Sequence, residues 1–181
     1  MESPAEGKKF IVGEVIRLKA NATDSKGVAI PNDRIFWEVR QHHATHFHPF
    51  LDKRSGNNFD LFPAPAPEEL AAADISYLEV IMSAVDSFGI TKTISRDIRP
   101  TKVNIDIFCN RPGFEVLINE SPIVTPSTIL TWQNQIIRLD VKNQKGYVFD
   151  SWNILGSRER TYRVKKPAGA RRNITAIMKL A

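Results

Sequence analysis

Polar and apolar residues alternate with a period of two along most of this chain, in short runs closed by turn-forming residues, which is the pattern of half-buried β-strands. Ile35, Trp37 and Val39 alternate with Phe36, Glu38 and Arg40, and Leu78, Val80, Met82 and Ala84 alternate with Glu79, Ile81 and Ser83. Ile16, Leu18, Ala20 and Ala22 share one strand face, after which Asp24-Ser-Lys-Gly27 supplies a turn; Asp86-Ser-Phe-Gly89 supplies another before the β-favouring residues Thr91 to Arg96. Pro100 interrupts pairing just before a fresh alternation of Val103, Ile105 and Ile107. Val116 and Ile118, then Ile137, Leu139 and Val141, then Ile174, Ala176, Met178 and Leu180 mark further strand faces. Only Pro67 to Ala73 reads as helical, in one short turn-like segment. The expectation is an all-β chain of two tandem antiparallel β-sandwich domains, residues 1–100 and 101–181, with Trp37 buried in the first and Trp152 in the second.

Composition changes this picture little, and charge changes it more. The 181 residues are 42% hydrophobic and 25% charged, which is ordinary for a globular protein. Residues 1–100 carry 12 Lys and Arg against 14 Asp and Glu, whereas residues 101–181 carry 13 against 6, so the net charge of +5 divides into −2 and +7. A basic second half attracts anionic surfaces. No run of about 18 apolar residues occurs, so no membrane span is expected. The opening residues lack the apolar stretch of a signal peptide, which leaves either an intracellular protein or a piece of a longer precursor. Cys109 is the single cysteine, so no intrachain disulfide forms. Asn21-Ala-Thr, Asn119-Glu-Ser and Asn173-Ile-Thr are glycosylation acceptor patterns that favour secretion.

Ala22-Thr-Asp24-Ser-Lys-Gly27, Trp37 and Val85-Asp86-Ser-Phe-Gly89 resemble a PKD-type module, an immunoglobulin-like sandwich. After Trp37 the usual Gly-Asp-Gly turn is replaced by the run from Glu38 to Phe50. That run, with Gly56-Asn-Asn and Pro63-Ala-Pro-Ala-Pro67, resembles the region that follows the β-propeller in secreted glucose/sorbosone dehydrogenase-like proteins. Pro112-Gly-Phe-Glu-Val-Leu-Ile-Asn119, Thr125-Pro126 and Tyr147-Val-Phe-Asp-Ser-Trp152 resemble small β-repeats of bacterial extracellular proteins. The resemblance implies an extracellular, carbohydrate-associated accessory region. It implies as well that pyrroloquinoline quinone belongs to a propeller lying outside these residues, and that no catalytic residue lies within them.

All four histidines, His42, His43, His46 and His48, fall within seven residues. If the strand of Ile35, Trp37 and Val39 ran on, its parity would place His42, His46 and His48 together on the opposite face, as a zinc or copper site. The alternative is a polar loop whose imidazoles cap backbone groups and pack on Phe47 and Phe50; it is favoured by the lack of a further ligand at an evident spacing, Asp52 included. Asp24 and Asp86 are better explained as turn caps than as calcium ligands, since each turn offers one carboxylate.

The tail holds Arg158, Arg160, Arg163, Lys165, Lys166, Arg171, Arg172 and Lys179 against Glu159, either a polyanion-binding patch or a solvated edge that discourages aggregation. Arg171 and Arg172 are its candidate contacts, for weak, salt-sensitive binding. Trp132, Tyr147 and Trp152 are candidates for a sugar-stacking platform, with burial in the core as the alternative. No Gly-rich phosphate loop, CxxC pair, nucleophile elbow or paired carboxylate motif occurs. The expected function is therefore a non-catalytic accessory module that engages carbohydrate or a neighbouring domain. The alternatives are a metal site flanking the active site of a larger secreted oxidoreductase, and a basic polyanion binder.

Overall fold

A computed structural model describes residues 1–154, 160–165 and 172–181, the side chains of Leu61 and Phe62 excepted. The chain is all-β, with no α-helix among the described residues, and forms two compact units, Met1–Thr101 and Lys102–Ala181.

The N-terminal unit has seven strands: β1 (Lys9–Phe10), β2 (Val15–Leu18), β3 (Ile35–His43), β4 (His46–Ser55), β5 (Phe59–Pro63), β6 (Tyr77–Val85) and β7 (Thr91–Pro100). They make a five-stranded sheet in the order β1-β7-β6-β3-β4 and a two-stranded sheet of β2 and β5. The alternation in β3 is complete: Ile35, Trp37, Val39, Gln41 and His43 are buried, and the residues between them half-buried. Leu78, Val80, Met82 and Ala84 are buried likewise along β6, where Ser83 between the last two is buried as well. The Trp37 indole donates to the Gly56 carbonyl at 3.1 Å, which satisfies the one polar atom of a fully buried ring. Residues 67–73 form bends and turns rather than helix; Ala72 and Ala73 within them, and Ala64 before them, are buried.

Two turns of the same chemistry stand in this unit. Asp24 Oδ1 accepts from the Lys26 and Val28 amides, and Asp86 Oδ1 from the Phe88 and Ile90 amides, all at 2.8 Å. Gly27 and Gly89 take the left-handed conformation each turn requires, at φ 79° and 83°. One oxygen of each carboxylate is thus committed to the backbone, which accounts for both residues as caps.

Among its described residues the C-terminal unit has eight strands: β8 (Lys102–Cys109), β9 (Glu115–Ile118), β10 (Ser121–Val124), β11 (Ser127–Trp132), β12 (Ile136–Asp140), β13 (Tyr147–Trp152), β14 (Thr161–Arg163) and β15 (Arg172–Leu180). They form two four-stranded sheets, β10-β9-β12-β14 and β11-β8-β15-β13. Val103, Ile105, Ile107, Val116, Ile118, Ile137, Leu139, Ile174, Ala176 and Met178 are buried as their parity requires. Leu180 is not: it ends β15 at 70% exposure, past the reach of the core.

The expectation of purely antiparallel sheets needs correction. In each unit the first strand lies beside the last and runs parallel to it, β1 with β7 and β8 with β15. Parallel neighbours need a long connection, and here the remainder of each unit supplies it.

Candidate metal centre

The histidines gather because β3 turns back on itself two residues after His42. Ala44 and Thr45 form the reversal, with Ala44 at φ 48°, and β4 then pairs antiparallel with β3. Residues opposite each other across such a hairpin share a face. His43 lies opposite His46 and Gln41 opposite His48, all on the face that carries Trp37 and Val39 to the core. His42 lies opposite Phe47, on the other face.

His43, His46 and His48 each bring a ring nitrogen within 4.8 Å of the others. His43 Nε2 and His48 Nε2 are 3.0 Å apart. The Glu68 carboxylate joins them, its Oε2 at 3.1 Å from His43 Nε2 and 3.6 Å from His48 Nε2. Glu68 belongs to the irregular segment between β5 and β6, which is tied to the hairpin by a bond from Gln41 Nε2 to the Ala66 carbonyl at 3.2 Å. His43 is buried at 8% exposure, while His46 and His48 are exposed, so the cluster runs from the end of the core to solvent. His43 Nδ1 is buried with no hydrogen-bond partner, which leaves Nε2 to make the polar contacts of this ring.

The set of His42, His46 and His48 is therefore corrected to His43, His46 and His48. Parity counted along one continuous strand fails once the chain reverses at Ala44-Thr45, where no Gly, Asn or Pro signals a turn. The hairpin also replaces the expected loop. Asp52 sits exposed on β4 outside the cluster, and Glu68, 20 residues beyond His48, was not foreseen. The spacing of His43 and His46, with two residues between them as in a two-residue hairpin loop, was the one available signal for this pair. Nothing local announces Glu68.

His42 serves the opposite face. Its Nε2 lies 2.9 Å from Glu79 Oε2, and its ring stacks on Tyr77 at 4.6 Å with an interplanar angle of 6°. Arg40 covers Phe47 and bonds Glu38, and Arg99 lies over Tyr77. Burial pushes the Tyr77 phenol above its usual range, and the Asp97 and Glu79 carboxylates push it the same way against an opposing pull from Arg99.

Elsewhere the candidates disperse. Trp132 and Trp152 are 0% and 1% exposed, so neither presents a face to a sugar, and the platform expectation is corrected: both rings fill the core of the C-terminal unit. Tyr147 is half-buried and its ring is engaged by Phe114 and Arg111. In the basic tail, Arg158, Lys166 and Arg171 lie outside the described residues. Arg160 pairs with Asp140 at 3.5 Å, Lys179 with Asp150 at 3.0 Å, and Arg163 donates to Asn134, while Arg172 is half-buried at the start of β15. Asn21, Asn119 and Asn173 are all exposed. No helix among the described residues is long and apolar enough to cross a membrane. Compared with known proteins, no family model, curated protein or solved structure matches this chain, so the resemblance to PKD modules and sugar dehydrogenase accessory regions rests on the quoted residues alone.

Proposed function

We propose that this chain is a non-catalytic binding module whose N-terminal unit holds a divalent transition metal, zinc or copper, at His43, His46 and His48. The observation that carries the reading is the convergence of three imidazole nitrogens within 4.8 Å on one face of a hairpin. Imidazole is a ligand that zinc and copper favour, and zinc takes three or four protein ligands. The hairpin makes the site precise, because cross-strand pairing with β6 fixes β3 from His42 back to Ile35. Secretion, and contact with carbohydrate or a neighbouring domain, belong to the same proposal; the sequence resemblance and the exposed acceptor asparagines support them.

Titration calorimetry with zinc(II) and copper(II) tests the site. The expected result is one saturable site per chain in the wild type, lost in His46→Ala and in His48→Ala, two exposed positions whose truncation leaves the fold intact. Binding also raises the melting temperature of the N-terminal unit, by about 2.7 kcal/mol of stabilisation when free metal is about 100 times its dissociation constant. Absence of a stoichiometric signal, or a signal unchanged in both variants, overturns the proposal.

A further inference from the structure

Whether a metal ion on the three histidines keeps a free coordination position is decided by the Glu68 carboxylate. A tetrahedral ion with bonds of about 2.0–2.2 Å holds neighbouring donor atoms about 3.3–3.6 Å apart. Three donors already stand at close to that spacing: His43 Nε2 to His48 Nε2 at 3.0 Å, His43 Nε2 to Glu68 Oε2 at 3.1 Å, and His48 Nε2 to Glu68 Oε2 at 3.6 Å. They outline one triangular face of a tetrahedron. The His46 ring stands nearly edge-on to both other imidazoles, at 65° to His43 and 80° to His48, and brings a ring nitrogen within 4.8 Å of theirs.

We propose that Glu68 is the fourth ligand, so that the ion completes a shell of three histidines and one carboxylate. This inference rests on the metal reading and adds to it what the metal does. A shell filled by four protein groups has no position for water or substrate, whereas zinc that performs hydrolysis keeps one open. Three of the four ligands sit on one hairpin, and the fourth belongs to the irregular segment that carries Ala64, Ala72 and Ala73 into the core. The ion therefore acts as a clasp. It fastens the connection between β5 and β6 to the tip of the β3-β4 hairpin, where otherwise the bond from Gln41 to the Ala66 carbonyl is the tie described above.

Cobalt(II) reports coordination number directly, through the strong visible absorption of its four-coordinate tetrahedral form. The full chain, its Glu68→Gln and Glu68→Ala variants are titrated with cobalt(II) and zinc(II), and the metal-free and zinc-loaded forms are compared by limited proteolysis within residues 64–76. Glu68 is 42% exposed in its side chain, and metal-free melting checks that both variants fold. The expected result is a tetrahedral spectrum in the wild type, weakened or replaced by that of a higher coordination number in both variants. Zinc affinity then falls by more than about tenfold, and zinc protects residues 64–76 in the wild type only. If the wild type binds neither ion, the metal site itself is refuted. If it binds both, but the variants match it in spectrum, affinity and protection, the three-histidine site stands and Glu68 is not a ligand.

Discussion

The two units are built from the same kind of strand but divide their strands differently. The described strands of the C-terminal unit form two sheets of four, whereas the N-terminal unit has a sheet of five and a sheet of two. In the balanced unit the inward positions of the long strands stay apolar from end to end, as in Val103, Ile105, Ile107 and Cys109 of β8. In the unbalanced unit a segment without strands, carrying Ala64, Ala72 and Ala73, contributes to the core. Along β3 the inward positions pass from Trp37 and Val39 to Gln41 and His43. Both units bury polar groups, but in the balanced one Thr125 and Thr131 are satisfied by the Phe114 and Val103 carbonyls, whereas His43 at the end of β3 meets the exposed side chains of His48 and Glu68.

The strongest way to break this comparison is to empty each core in turn. Trp37→Ala and Trp152→Ala each remove a fully buried indole and should cost about 3–5 kcal/mol. Calorimetric unfolding is expected to show each variant lowering the transition of its own unit while the other stays in place. A single transition shifted equally by both would mean that the two cores are one cooperative body.

A smaller effect sharpens the contrast at the polar end. Burying His43 Nδ1 without a partner costs about 1–3 kcal/mol, a penalty with no counterpart among the inward residues of β8. His43→Leu removes it, so in metal-free buffer the variant should be more stable by about 1 kcal/mol in urea unfolding while losing zinc binding altogether. A variant less stable than wild type in the absence of metal would show that the contacts of His43 Nε2 already outweigh the orphaned nitrogen.

How much of this could be read beforehand depends on how local the cause is. The alternations of β3, β6 and β8 are written in adjacent residues and are present in the structure. The Asp24 and Asp86 turns are legible for the same reason, since an Asp, two residues and a Gly contain the cap and the positive φ together. The pairing of β1 with β7 and of β8 with β15 joins residues some 90 and 67 positions apart, such as Lys9 with Arg99 and Arg172 with Ile105, and no short window contains it. The histidine set was half legible. Its density was plain, but the reversal uses Ala44 and Thr45, neither a turn former, so parity chose His42 in place of His43. Glu68 enters only because the chain folds back over the hairpin.

The smallest effect concerns the outer face of β3 and β6. Tyr77 holds its proton more tightly in the folded chain than in the unfolded one, because burial and the Asp97 and Glu79 carboxylates disfavour phenolate. The associated stability is complete below the unfolded phenol value of about 10 and is lost as pH rises through the folded value. Urea midpoints measured from pH 9 to 11 should therefore fall more steeply for wild type than for Tyr77→Phe. Parallel curves would remove Tyr77 from the account of that face.

The parallel pairing of first and last strands also decides how each unit bears a pull along the chain. Tension applied at the two ends of a unit draws its terminal strands lengthwise past each other, so their hydrogen bonds are loaded together in shear instead of opening one at a time. In the C-terminal unit this load falls on five successive register pairs, from Arg172 opposite Ile105 to Ala176 opposite Cys109. In the N-terminal unit it falls on two, Lys9 opposite Arg99 and Phe10 opposite Pro100. Under stress the tandem is thus a strong link joined to a weaker one, and the weaker link is the unit that carries the histidines.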